Sequence, residues 1–453
     1  MKTRRPQSVL RAEGSGGGHS EKSRRSLFSP EPPFFSSSLT KRLHSSPSTL
    51  TRPGYSSLLK GEQDKSPTVH FPWEEKLYGL SGAQRVCEAI SHRAAVTTLS
   101  LPHHKLGDEG ATELFRWLCS SGRNYWRQIT DIDVSDNGIG EKGLAAISDY
   151  LQKNRRLKVL TLTKNEPRWS EDLLLAFANA VNSSRLQDLV FNNVPHGDLF
   201  VPRLLSRLNN PHLKALRVSM TGLTEQSTSA ICDFIVSPHC RLYRLSLSGN
   251  FLGQSGVKAI LKAMEDNYSL RTVELFANTE EVDYVTKRLI ETRNNILINT
   301  VSKEARTLLR ASRILLLRGS RPRENIQAST NASARGYPEL PLELKQDILA
   351  FLAPHLSTPQ CLRIFDFASS PTTLPFLSVS SAHGCLPDPS AVPFGLSVAP
   401  QTPCAGGVCM GAGNSLSCRR ETLRADWLLK VGCDVPDSKV ATAFLSESRL
   451  LLL

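Results

Sequence analysis

The sequence predicts an α/β fold, an open horseshoe-like solenoid with parallel strands on its concave side and helices on its convex side. Three observations carry that expectation. An apolar residue followed by others at +3 and +5 opens a phrase that restarts seven times, at Val96, Ile129, Leu157, Leu186, Leu213, Leu242 and Leu270, with spacings of 27 to 33 residues. Two copies agree almost position by position: Leu242, Leu245, Leu247, Asn250, Leu252, Gly253, Gly256, Ile260 and Met264 match Ile129, Ile132, Val134, Asn137, Ile139, Gly140, Gly143, Ile147 and Leu151. Each unit also changes period, from the alternation of a short strand to the spacing of an amphipathic helix. No such unit can shelter its own leucines, so neighbours must stack and share a core.

A period of about 28 residues with Asn-x-Leu/Ile-Gly-x-x-Gly after the strand resembles the leucine-rich repeats of the ribonuclease-inhibitor-like class. The resemblance implies that the Asn amide satisfies loop backbone groups and that a full helix returns the chain. It implies little about function, because the class serves inhibitors, receptors, GTPase activators and ubiquitin-ligase adaptors alike.

In chain order, residues 1–70 are rich in Ser, Pro, Gly and Arg without apolar periodicity, and are expected to be a disordered basic tail. Arg24-Arg25-Ser26 and the Ser-Pro steps at Ser29, Ser46 and Ser66 suit basophilic and proline-directed kinases, so regulatory phosphorylation is expected there. In residues 71–95, Leu77, Leu80, Val86 and Ile90 suit a helix capping the first repeat, and residues 96–300 hold the seven repeats. The third and fourth break the loop rule with Glu166-Pro167-Arg168-Trp169 and Val194-Pro195-His196-Gly197. Residues 301–320 place Val301, Ala305, Leu308, Leu309, Leu315 and Leu316 on one helical face and Lys303, Arg306, Arg310 and Arg313 mostly opposite. That basic amphipathic helix is read as the closing cap, with a membrane or calmodulin-type element as the alternative.

After a linker at 321–337, residues 338–377 begin Leu340-Pro341-Leu342-Glu343-Leu344 and continue with Ile348, Leu349, Phe351 and Leu352. This resembles the opening helix of an F-box, which implies that Leu340, Pro341, Leu344, Ile348 and Leu352 contact a Skp1-like protein. Residues 378–453 read as a mostly disordered tail with a short helix at 419–432. The string Cys404-Ala-Gly-Gly-Val-Cys409-Met-Gly, Cys418 and the run from Trp427 to Cys433 resemble tails of fungal repeat proteins of this class, a likeness that carries no activity. Cys404, Cys409, Cys418 and Cys433 lie 5, 9 and 15 apart, without the paired knuckles of structural zinc sites, and are read as holding no metal.

Charge narrows the function classes. The net +13 belongs to the ends: residues 1–70 hold 12 Lys/Arg against 5 Asp/Glu, whereas the middle to Val301 holds 27 against 25. A nucleic-acid-binding solenoid would carry its cations along the binding surface, so a protein partner is expected and nucleic acid is not. No stretch reaches the roughly 18 to 20 apolar residues of a membrane span, and no apolar signal segment follows the basic start. Cytoplasmic or nuclear placement with reduced thiols is the expectation, a mitochondrial transit peptide the alternative. Hydrolase elbow, Walker loop, dinucleotide fingerprint and His-Glu-x-x-His are absent from the sequence, so no enzyme or cofactor is predicted. His103-His104 reads as a solvated pair in a repeat loop.

Strand residues between the ladder leucines should face the concave side. Among them Asp131, Asp133 and Asp188 make the early half acidic, while Arg217 and Arg244 make the later half basic, with Asn192 and Glu274 alongside. These seven, with Arg168 and Trp169 from the irregular third loop, are the predicted partner-binding residues of an interaction scaffold. The repeats also look like those of the Ran GTPase-activating protein, which acts through loop residues at the solenoid edge. Arg168, three residues after Asn165, is the comparable arginine here, and a small GTPase is the partner that likeness implies.

Overall fold

The computed structural model describes residues 67–71, 75–93, 95–120, 128–317, 340–370, 373 and 419–443. Eight three-residue strands, β1 (Thr68–His70), β2 (Thr98–Ser100), β3 (Asp131–Asp133), β4 (Val159–Thr161), β5 (Asp188–Val190), β6 (Ala215–Arg217), β7 (Arg244–Ser246) and β8 (Thr272–Glu274), form one parallel sheet in chain order. Helices α1 (Gly79–Ser91), α2 (Gly107–Ser120), α3 (Glu141–Lys153), α4 (Glu171–Ser183), α5 (Gly197–Leu205), α6 (Thr228–Val236) and α7 (Gly253–Glu265) return the chain between them. The sheet does not close, so this is the α/β solenoid that the repeat period predicts.

Each strand turns its central residue inward. The register lines up Val69, Leu99, Ile132, Leu160, Leu189, Leu216, Leu245 and Val273 in a single row, none more than 1% exposed. Burying one such side chain is worth about 1.5 to 3 kcal/mol, but only because the repeats on either side supply the cover.

The loops after the strands follow a shared rule. A residue with left-handed backbone stands in each of seven repeats: His103, Asp136, Lys164, Asn193, Met220, Gly249 and Ala277. The position after it is where the asparagines sit. Asn250 Nδ2 donates to the carbonyls of Leu247 (2.7 Å) and Val218 (3.0 Å), and its Oδ1 accepts from the N–H groups of Thr221 (2.9 Å) and Leu223 (3.1 Å). Asn137 and Asn165 bridge adjacent turns in the same manner, and Asn278 Nδ2 donates to the Leu247 carbonyl (2.9 Å) of the preceding turn.

In the first loop the place is taken by His104, which is buried rather than solvated. Its Nδ1 accepts from the Leu77 N–H (3.3 Å), so Nε2 carries the proton toward the Phe71 carbonyl at 3.3 Å. Burial holds its pKa below the ordinary 6.5, and the Phe71 carbonyl opposes that shift.

Two boundaries differ from the sequence reading. Residues 68–70, assigned to the tail, are a strand: Val69 and Phe71 fill two of the three apolar positions of the phrase, but Ser66 stands at the third. The last helix begins not at 301 but at Tyr284, as α8 (Tyr284–Leu317), 34 residues long. Its buried stripe runs unbroken from Ile290 through Leu297, Val301, Ala305 and Leu308, so the seventh repeat's helix and the cap are one element. Leu315, assigned to that apolar face, lies exposed. Near the start of α8 the Glu291 carboxylate accepts from the Val273 N–H (2.8 Å), capping the final edge of the sheet.

The far half of α8 joins a second core. Val301, Ala305, Leu308 and Leu309 pack with residues of α9 (Leu342–Ala350), α10 (Thr358–Ser369) and α11 (Arg419–Val431), including Leu349, Ile364, Phe365 and Trp427. This helical module is tied to the repeats by Asp434, whose buried carboxylate faces Lys214 (3.2 Å) and Arg241 (3.0 Å). Burial holds the Lys214 ammonium below its ordinary range, and Asp434 opposes that shift. Cys433 is buried beside the clasp, its thiol pushed up to about 12 by burial. Cys404, Cys409, Cys418 and the serines assigned to kinases lie outside the described residues. No described helix is long and apolar enough to cross a membrane.

Candidate partner-binding face

The predicted charge division of the strand face is altered by pairing. Arg217 Nη2 donates to Asp188 Oδ2 at 2.6 Å, and Asp188 is buried. Arg244 and Glu274 face each other at 3.7 Å across β7 and β8, both half-exposed. A basic half set against an acidic half therefore does not exist: two cations of the later repeats are partnered by carboxylates on neighbouring strands. Asn192 turns to the neighbouring repeat, where its Oδ1 accepts from the Ser219 N–H (3.0 Å).

Asp131 and Asp133 remain accessible on β3. Asp131 accepts from the Thr130 hydroxyl (2.5 Å), and Asp133 from the backbone N–H (2.9 Å) and hydroxyl (2.5 Å) of Ser135. Thr98, Ser100, Val159 and Thr161 flank them in register on β2 and β4. The result is a small polar patch with two carboxylates already oriented by local donors.

Trp169 does not point outward as a recognition residue. Its ring stacks on Phe200 (centroids 4.5 Å apart, planes at 11°) and meets the rings of Phe191 (5.7 Å) and Phe177 (6.2 Å). It plugs an aromatic cluster spanning the third and fourth repeats, and this packing is what the irregular Pro167 loop accommodates. Arg168 beside it stands exposed.

What the sequence reading missed lies in the last loops. Met220, Phe251 and Phe276 are 56%, 71% and 72% exposed. They occupy consecutive repeats, hence successive turns about 4.8 Å apart. Backbone bonds link the turns: Met220 N–H donates to the Ser248 carbonyl and Gly249 N–H to the Phe276 carbonyl. Gly249 lies between them, and an added Cβ there would sit 2.7 Å from the Met220 side chain, which would have to shift. One signal was present in the sequence: Phe251 follows the loop asparagine where the second repeat has Gly138.

Of the F-box-like residues, Leu344 and Ile348 fall on α9, Leu340 and Pro341 just before it and Leu352 just after it. Leu340, Leu344, Ile348 and Leu352 are all exposed, while Leu349 anchors the helix to the second core. Pro341 caps the helix start, its carbonyl accepting from the Lys345 N–H (3.1 Å).

Among known families, a leucine-rich repeat model matches residues 128–148, from the approach to β3 into α3. Human NACHT, LRR and PYD domains-containing protein 14 is 26% identical over 240 residues, which are 46% of this chain and 21% of that protein. The mouse Tonsoku-like protein is 27% identical over 193 residues, 40% of this chain and 14% of its own length. Mouse ribonuclease inhibitor is 24% identical over 244 residues, 52% of each chain. The matches thus take in only part of these relatives. Sheet topology, loop ladder and relatives agree on a leucine-rich repeat solenoid in this chain, similar to ribonuclease inhibitor.

Proposed function

We propose that the protein is a binding scaffold that receives a protein partner on the later strand-to-helix loops and the adjoining strand face. The observation behind this reading is the exposed trio Met220, Phe251 and Phe276. Aromatic residues and Met are enriched at protein interfaces, and a few such anchors supply most of the affinity when a partner covers them. Arg244 and Glu274 form a half-exposed polar border on β7 and β8, and Asp131 and Asp133 offer charge further along, where it acts on association rate and discrimination. Quantitative affinity purification of full-length protein tests this: the double substitution Phe251→Ser and Phe276→Ser is expected to lose a specific set of captured proteins. Leu199→Ser, at an exposed site on α5, should keep that set. Identical capture by all three proteins would refute the assignment, and Asp131→Lys with Asp133→Lys is expected to weaken capture without abolishing it.

A second reading draws on α9. The exposed Leu344 and Ile348 on it, with Leu340, Phe351 and Leu352 at its ends, form an apolar surface of F-box-like sequence. In this reading the module binds a Skp1-like protein while the repeats select a substrate for a ubiquitin ligase. Co-purification of such a protein, lost on Leu344→Asp, would support it, and its absence from the captured proteins would dismiss it.

A further inference from the structure

Helix α8 has an outer face that neither core uses. Val285, Leu289 and Ile296 lie exposed near its start and Ile314 and Leu315 near its end. By contrast α4, α5 and α6 each expose one large apolar side chain, Leu175, Leu199 and Val236. Exposed Arg288 and Lys303 share the α8 face, and no carboxylate of the helix does. The helix has two, and both are engaged elsewhere: Glu291 with Lys287 (2.8 Å) and the Val273 N–H, Glu304 with the His355 N–H (2.9 Å). Terminal elements of a repeat stack ordinarily turn a polar face outward. This one is apolar and cationic.

We propose that the outer face of α8 docks an amphipathic helix of another protein whose apolar side chains are bordered by aspartate and glutamate. The charge of the face selects that occupant. A second copy of the chain meeting it about a twofold axis would set the same cations against one another. The longer segments outside the described residues offer no acidic run either: residues 1–66 are strongly basic, 318–339 hold four arginines against two glutamates, and 371–418 contain the single acid Asp388. A bilayer surface suits the face poorly. Apolar residues stop at Ile296 and resume at Ile314, a gap of about 27 Å along the helix, filled by Asn299, Lys303, Thr307 and Arg310. A helix lying in a membrane needs a continuous apolar stripe, whereas a partner helix needs anchors at i, i+4 and beyond with charge between them. Val285, Leu289 and Ile296 have that spacing. The face is separate from the strand-face loops proposed above and does not depend on them.

Fluorescence anisotropy with the full-length protein and a panel of labelled helical peptides tests the assignment. The probes carry Leu at a and d positions and Glu elsewhere, the controls carry Lys in place of Glu, and vesicles of phosphatidylcholine with or without phosphatidylserine complete the set. Acidic peptides are expected to bind saturably and more weakly as salt rises, and basic controls to fail. Leu289→Ser with Ile296→Ser should weaken binding at least about tenfold, as should Arg288→Glu with Lys303→Glu, a second variant that keeps the apolar residues. Phe251→Ser with Phe276→Ser should leave it unchanged. The proposal is overturned if acidic and basic peptides bind alike, if none of the panel saturates, if both α8 variants bind as wild type does, or if phosphatidylserine vesicles are bound in preference to every peptide.

Discussion

The repeat body and the C-terminal helical module are both held by aliphatic cores, but the contacts are distributed differently. In the repeats every inner strand meets its two neighbours through the same row of inward side chains, and the loop asparagines bridge consecutive turns about 28 residues apart. The module has no such periodic support. It rests on the second half of α8, and its attachment to the repeats includes Asp434, whose partners Lys214 and Arg241 lie 220 and 193 residues away in the chain. Stability in the stack is close to a sum of similar interfaces, so damage at one turn is felt through its neighbours. In the module, a few contacts between distant residues decide whether three helices dock.

The comparison can be broken first at the spine. Leu245→Ala removes a fully covered side chain from the row and is expected to cost about 3 kcal/mol, read as a lower denaturation midpoint of the main transition. Leu349→Ala deletes a side chain just as buried, but in the second core. Hydrogen exchange should then accelerate in α9, α10 and α11 while the repeats keep their protection; equal loss in both regions would show that they unfold as one unit. Asn250→Ala comes next, at about 2 kcal/mol, because it strands the Val218 and Leu247 carbonyls and the Thr221 and Leu223 N–H groups without replacing them. Asp434→Asn should be milder, about 1 kcal/mol, since Lys214 and Arg241 each keep some access to water. Its signature is faster proteolysis of the module with an unchanged repeat transition.

The sequence made the spine legible because each buried residue recurs at a fixed interval, and it made β1 illegible for the complementary reason. With Ser66 in place of the opening apolar residue, the run around Val69 lacks the first beat of the phrase. The start of α8 was lost between two readings: the last repeat and the cap share one helical period, visible only when Ile290 and Val301 are seen on the same stripe. The candidate site was harder. Asp188 and Arg217 are 29 residues apart, so a charge list separates them, whereas the register brings their strands side by side. Trp169 looked like a loop residue because its aromatic partners Phe177, Phe191 and Phe200 belong to two different repeats. Apolar loop residues such as Met220 and Phe251 follow no periodicity, and only comparison of each repeat with its siblings would have marked them.

The smallest expected effect sharpens the rule of the ladder itself, since His104 fills by protonation state a place that asparagine fills by covalent structure. Its Nδ1 must stay unprotonated to accept from Leu77, and burial already holds its folded pKa below the ordinary 6.5. The unfolded chain therefore takes up a proton there before the folded chain does. The sign follows from linkage: the contribution is complete above about pH 6.5 and is lost as pH falls from there through the lower folded value. His212, whose pKa burial also lowers, titrates in the same direction, so the wild-type curve alone does not isolate His104. His104→Asn does, because an amide can offer both an acceptor and a donor at any pH. Between pH 7.5 and 5 the variant should lose less stability than wild type, with the difference in hydrogen exchange concentrated around Leu77 and the loop to α2. Parallel pH profiles for the two proteins would mean that the ring serves only as packing, and that the first repeat is not held by the rule that governs the others.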